Sequence, residues 1–318
     1  MPHNRLRASL NRYGKARTPI FFMIDFDLQH FVIHPLENLP ENILFAMDEQ
    51  TQPVAAPDRN YRYQAVDFET YQKAFYRIIE EISAGNTYLL NLTFPSRLET
   101  TLSLHEIYRS VEAKFKLCYR DQFVCFTPER FVKIRDNAIF TYPMKGTIDA
   151  TIPDAEAKIL HNNKEMAEHV MVVDLLRNDL SMVARKVRVE KFRYIDKIKA
   201  GERELLQVSS KIRGELEEGW QNRLGDILVT LLPAGSITGA PKKSTTEIIK
   251  SVENYDRGYF TGIFGCFDGE NLDSAVMIRF IEKTEDGYLY KSGGGITIDS
   301  DVQSEYNELK EKIYVPFF

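Results

Sequence analysis

The sequence predicts an α+β fold built on large antiparallel sheets. Three observations lead there. Apolar residues recur at helical spacing in separate segments, runs of strand formers lie side by side between them, and the two kinds of segment do not alternate as a doubly wound sheet requires.

Met1 to Lys15 is basic and lacks the apolar core of a secretory signal. Pro19 to Ile33 carries the short apolar run of a strand or hairpin, and Pro40 to Asp48 is expected as a short helix. Thr51 to Asn60, with Pro53 and Pro57, has linker composition. Residues 1–65 are therefore expected as a small opening module, with 66–318 as the main domain. Tyr71, Phe75, Ile78, Ile79 and Ile82 predict a helix over Phe68 to Ser83, which Gly85-Asn86 ends. Tyr88 to Phe94 predicts a strand and Leu104 to Phe115 a second helix. Phe123 to Phe126, Phe131 to Ile134 and Ala138 to Tyr142 predict short strands, with Glu129 in the first turn and Lys145 just beyond the last. Asn163 to Val183 is a long amphipathic helix. Strand is expected at Leu205 to Leu216, and helix at Leu224 to Leu232 and Ser244 to Val252. Tyr259 to Phe267, Ala275 to Glu282 and Tyr288 to Ser292 are expected strands, and Asp301 to Tyr314 is the closing helix.

The bulk properties exclude several classes. A net charge of −5, with no long Lys/Arg run, gives no footprint for nucleic acid. No stretch approaches the roughly 18 to 20 apolar residues of a membrane span. Three cysteines without CxxC spacing argue against a disulfide framework or a zinc site, and a cytoplasmic location with buried, reduced thiols is expected.

Four clusters carry possible chemistry. Lys145 in Pro143-Met144-Lys145-Gly146-Thr147 and Glu129 in Thr127-Pro128-Glu129-Arg130-Phe131 pair an amine with a carboxylic acid, the parts needed to displace a hydroxyl from a ring. A nucleophilic lysine must be neutral; lowering its pKa by about three units costs roughly 4 kcal/mol, so it needs burial or a cationic neighbour. A solvated lysine and a Glu129–Arg130 pair account for the same residues. Glu305, Glu308 and Lys312 share one helical face, and the two glutamates with Glu168 offer the hard oxygens that magnesium prefers. An exposed face with a Glu308–Lys312 pair fits the same spacing. Pro233 to Lys242 and Ser292-Gly293-Gly294-Gly295-Ile296 are glycine-rich and could present backbone amides to an anion, or simply permit backbone crowding. Counted from Gly235, a P-loop fails, because Ala240 and Pro241 replace its glycine and lysine. Asp174 and Arg177, inside an apolar helix, are spaced to pair.

Taken in order, TPERF, PMKGT, AEHVMVVDLLRNDL, PAGSITGAPK, GIFGCFDGENLDSAVMIRF, SGGGITIDSD and SEYNELKEK resemble the chorismate-utilising enzymes, a family that includes anthranilate, aminodeoxychorismate, isochorismate and salicylate synthases. The resemblance covers about residues 66–316. It implies a four-layer α/β/β/α sandwich of two orthogonally packed antiparallel sheets. PMKGT is similar to the aminodeoxychorismate branch, whereas anthranilate synthases carry alanine at the place of Lys145. The resemblance then implies that Lys145 attacks C2 of chorismate while Glu129 protonates the departing C4 hydroxyl, and that ammonia expels the lysine. It assigns Glu168, Glu305 and Glu308 to Mg2+. It assigns Arg279, Thr147, Thr238, Gly239, Gly294, Gly295 and Lys312 to the substrate. Ammonia is expected from a separate glutamine amidotransferase subunit.

Departures from the family pattern are Leu89, Gln207 and Phe260, where relatives carry glutamine or lysine, histidine and tyrosine. An apolar Leu89 cannot activate water, which argues against the isochorismate branch. No LLES-type tryptophan-pocket motif is present, so tryptophan feedback is not expected. The alternatives are anthranilate synthase, an inactive scaffold paralogue, and an anion-binding module using the glycine loops.

Overall fold

Two antiparallel sheets organise the chain, and each is the centre of its own unit. The computed structural model describes residues 2–48, 53–200 and 203–317. The first unit gathers the described residues up to Leu39, Pro128–Ser236 and Gly262–Val276; the second gathers Pro40–Thr127, Ile237–Thr261 and the described residues from Met277 onward. The opening 65 residues are thus divided, those before Pro40 joining one unit and the remainder the other.

The sheet of the first unit has the order Met144–Asp149, Arg203–Glu215, Ala138–Thr141, Arg130–Arg135, Leu272–Val276, Ile263–Phe267, Ile20–Ile24, Phe31–Pro35, with Arg185–Ala200 also paired to Arg203–Glu215. Ile20–Ile24 is buried at every residue, as its unbroken apolar run requires. The long helix Asn163–Ser181 lies on the strands at 144–149, 185–200 and 203–215. The basic start of the chain forms a helix, Pro2–Lys15, whose Leu6, Leu10 and Gly14 are buried. It meets the helix Leu224–Leu231 and the 3-10 turn before it. Glycine permits that crossing: a Cβ at Gly14 would sit 2.0 Å from the carbonyl oxygen of Gln221, and one at Gly225 would sit 2.2 Å from that of Arg7. Asn11 fastens it, accepting from the Gly225 amide at 2.7 Å and donating to Asp226 at 3.1 Å.

The second sheet has the order Gly239–Ala240, Leu89–Thr100, Gly287–Ile296, Phe280–Thr284, Phe123–Thr127, Phe115–Tyr119, Ile43–Met47, with Tyr61–Gln64 on Leu89–Thr100. Helices Phe68–Ser83, Lys242–Val252 and Val302–Glu311 pack on it, and Asp67 caps the first by accepting from the Thr70 amide. Cys118 and Cys125 are buried free thiols, and burial pushes Cys118 up to about 12.

Several expected elements differ. Residues 43–47 form a strand, not a helix, because they pair with Phe115–Tyr119. The second helix stops at Ser110, and residue 115, its expected end, opens that partner strand. The expected strand Ala275 to Glu282 is two strands, one ending in the first sheet at Val276 and the other starting in the second at Phe280. Arg185–Ala200 was not anticipated: three register irregularities against its partner break the period-two pattern. Asp174 and Arg177 do pair, at 2.6 Å, but both are exposed, so the contact adds little to the helix. The expected linker lies partly outside the described residues.

Gly225→Ala should force the two helices apart and cost about 1–3 kcal/mol. The check is the thermal midpoint, and a variant that melts with wild type would contradict this crossing.

Candidate active site

Lys145 owes its position to a break in the sheet. Met144 pairs with Ser209 and Thr147 with Gln207, so Lys145 and Gly146 together oppose the single residue Val208. Such a bulge re-aims side chains, and Gly146 supplies the positive φ of 86° within it. Lys145 Nζ lies 2.6 Å from Glu168 Oε2 of the long helix. Both side chains are largely covered, at 27% and 16% exposure, so this is a partly desolvated ion pair.

The strand behind the bulge is held by a buried histidine. His169 is fully buried, and its Nε2 lies 2.6 Å from Ser210 Oγ. Ser210 also accepts from the Arg193 amide at 2.9 Å and gives its own amide to the Pro143 carbonyl at 2.9 Å. The direction of the His169–Ser210 hydrogen bond follows the tautomer of the imidazole. Burial, together with the positive charges of Arg193 and Lys145, pushes this imidazole down to about 4.

Glu129 follows Thr127-Pro128 and precedes the strand Arg130–Arg135. Ser236 donates its hydroxyl to Glu129 Oε1. Arg130 makes a bidentate pair with Asp273, at 2.7 and 3.0 Å. Glu129, Lys145, Ser236 and Asp179 line one cavity of about 60 Å3, walled also by Val172, Leu176 and Leu231. That volume admits a few molecules the size of water or ammonia. Amine and carboxyl, separated by fifteen intervening residues in sequence, therefore share one partly apolar chamber.

In the second unit the glycine run is itself strand, not a loop after one: Gly293, Gly294 and Gly295 pair with Thr93, Leu92 and Asn91. A Cβ at Gly294 would lie 3.6 Å from Glu305 Oε2, from Glu308 Oε1 and from Lys312 Nζ. The bare backbone leaves space under those head groups. Glu305 is buried and accepts from Ser300 Oγ at 2.9 Å. Lys312 bridges Glu308 at 2.6 Å and the Gly293 carbonyl at 2.9 Å. Arg279 donates to the Lys312 carbonyl at 3.1 Å and lies over the Tyr314 ring, while its buried Nε meets no acceptor among the described residues. An unpaired buried guanidinium N–H is costly and suits an incoming carboxylate. Thr238 is fully buried, and Gly239 is obligatory because a Cβ there would sit 1.8 Å from the Leu89 carbonyl oxygen. Thr147 is exposed, opposite Gln207.

Two carboxylates above Gly294 are hard oxygen donors of the type a magnesium ion takes, and they fit such an ion in kind. Among the described residues, no group of three or more His, Cys, Asp or Glu side chains forms a ready metal cage. Of the departures, Leu89 places its Cδ1 3.1 Å from where a Cβ of Gly295 would be, Gln207 holds a buried Oε1 that meets no donor among the described residues, and Phe260 is buried against Phe280. Sequence reasoning missed Ser236, His169 and Ser210 as site residues, since their partners lie 107 and 41 residues away. Among the described residues no helix is long and apolar enough to cross a membrane.

The neutral histidine gives a pH prediction. In the unfolded chain His169 takes its proton near pH 6.5, in the fold only near 4. Its contribution is therefore complete above pH 6.5 and is lost as pH falls from about 6.5 to about 4, by up to about 3 kcal/mol. Urea unfolding across that window should show a steeper loss for wild type than for His169→Gln; parallel profiles would remove the histidine from this role.

The match to chorismate binding enzymes runs over residues 20–317, further toward the N-terminus than the motifs alone reach. An uncharacterized PabA-like protein of Haemophilus influenzae is 53% identical over 311 residues, covering 96% of this chain and 94% of that one. Aminodeoxychorismate synthase component 1 of Bacillus subtilis is 35% identical over 261 residues, 77% of this chain and 54% of its own length. MenF, the menaquinone-specific isochorismate synthase of Escherichia coli, has a solved structure similar to this fold, with a TM-score of 0.71 at 14% identity over 97% of this chain and 80% of that one. The long match, with the site geometry above, means that this chain belongs to the chorismate binding enzyme family.

Proposed function

We propose that the chain is component I of an aminodeoxychorismate synthase, converting chorismate and ammonia to 4-amino-4-deoxychorismate for 4-aminobenzoate and folate synthesis. The observation that supports this most is the chamber shared by Lys145 and Glu129, with lysine at the position that tells the branches apart. The 35% identity to a synthase of that name supports it too.

In this reading Lys145 first parts from Glu168 and gives one ammonium proton to solvent water, so that its nitrogen carries a free pair. It forms a bond to C2 as the ring double bonds shift and the C4–O bond breaks. Glu129 gives its proton to the leaving hydroxyl, which departs as water. Ammonia then bonds to C4, the double bonds shift back, and the C2–N bond to Lys145 breaks. The ammonia loses a proton, and the enolpyruvyl group is retained throughout. Ser236 aims the Glu129 carboxyl. Arg279 takes a substrate carboxylate on its unpaired Nε, and the Thr238, Gly239, Gly294 and Gly295 backbone receives another, with Lys312 and Thr147 alongside. Glu305, Glu308 and Glu168 are the proposed magnesium ligands; the bound ion would supply charge neutralisation to a substrate carboxylate. A separate glutamine amidotransferase is the proposed ammonia source.

The test is incubation with chorismate, Mg2+ and ammonium, with the product identified by mass spectrometry. A product with amine in place of hydroxyl and pyruvyl retained supports the assignment; anthranilate would replace it with the sibling activity. Lys145→Ala should lose nearly all turnover while still binding chorismate, and full activity in that variant would exclude the lysine. Ser236→Ala should lower kcat about tenfold with little change in KM, since it disturbs the acid rather than the binding groups. A changed KM with intact kcat would argue against that role.

A further inference from the structure

A fully satisfied buried ion pair in the second unit lies outside the residues assigned above. Arg257 and Glu253 are one helical turn apart in spacing, and their side chains are each 2% exposed. Arg257 Nε donates to Glu253 Oε2 at 2.8 Å and Nη2 to Oε1 at 2.6 Å. The remaining N–H groups go to the Asn91 carbonyl at 2.7 Å, the Ile237 carbonyl at 3.2 Å and Thr261 Oγ1 at 3.3 Å. All five guanidinium donors are thereby used, so none is left for a ligand. Glu253 Oε1 in turn accepts from the amide and the hydroxyl of Thr93, at 2.9 and 2.8 Å.

The backbone groups so gripped have one thing in common. Ile237 immediately precedes Thr238-Gly239. Asn91 and Thr93 sit opposite Gly295 and Gly293 in the sheet, and Leu90, between Leu89 and Asn91, pairs with Gly239. A strand whose key positions are glycine has no side chains of its own to fix its amides against sliding or twisting. A buried ion pair is no dependable source of stability, since an apolar pair of similar volume often serves as well. An apolar pair cannot, however, hold two carbonyls and a strand amide at fixed positions.

We propose that the Glu253–Arg257 pair is a positioning device: it fixes the backbone at Ile237, Asn91 and Thr93 so that the amides of Gly239 and Gly295 stand ready for a carboxylate. This rests on the functional reading above, which assigns a substrate carboxylate to that backbone.

The experiment compares wild type, the double variant Glu253→Met/Arg257→Met and the single variant Arg257→Lys. Folding is followed by thermal melting, chorismate binding by calorimetry, and turnover by steady-state kinetics with ammonium. The double variant should melt near wild type, yet show a chorismate Kd and KM raised about tenfold or more with kcat reduced less than about threefold, the pattern of lost ground-state binding. Arg257→Lys, which keeps the charge but not the fork, should raise KM in the same direction, so the inference stays testable if the double variant fails to fold. Wild-type Kd and KM in a folded variant of either kind would overturn the positioning role. Wild type that neither binds nor converts chorismate would instead overturn the functional reading, and this inference with it.

Discussion

The ion pair between Lys145 and Glu168 is the contact that ties the bulged strand of the first unit to the long helix. It exists because one strand takes an extra residue against its neighbour and because Gly146 can adopt the backbone angle that this needs. The bulge turns an ordinary strand lysine toward the long helix and the chamber that Glu129 enters from the neighbouring turn. Behind it, His169, Ser210 and the Pro143 carbonyl form a buried relay of hydrogen bonds, kept neutral so that no second charge competes with the pair in front. Burial without ionisation is the economical arrangement here, because an unpaired buried charge would cost several kcal/mol.

The second unit achieves its geometry by leaving side chains out. Gly239 and Gly293 let strands approach to distances that any Cβ would forbid, and Gly294 leaves a space over which Glu305, Glu308 and Lys312 converge. The helix that carries these three is anchored through its other face. Tyr306 meets the Phe68 ring edge-on and the Tyr71 ring at a tilt, Leu309 is buried, and Asp301 caps the first turn. Apolar packing on one face thus fixes the polar face, which is how an amphipathic helix delivers charge to a defined place.

Much of this was legible in the sequence, for identifiable reasons. The helix Phe68–Ser83 was bounded correctly because its apolar spacing and its Gly85-Asn86 stop agree. Glu129 and Lys145 stood out because acid and amine each sit in a short motif, TPERF and PMKGT. Residues 43–47 were misjudged because strand partners distant in sequence, not local propensity, decide their state. The hairpin arm Arg185–Ala200 was missed because its bulges break the alternation that marks a strand. The contacts of Ser236 with Glu129 and of Arg257 with Ile237 and Asn91 bring together residues that no spacing rule connects.

The most direct measurement is the mass of the protein itself. Incubated with chorismate and Mg2+ but no ammonia, the chain should gain the mass of chorismate less one water, and peptide mapping should place the adduct on Lys145. Added ammonium should discharge it to the amino product. An adduct on another residue, or turnover to the amino product through an unmodified chain that never accumulates or traps an adduct, would contradict the nucleophilic role on which this account rests.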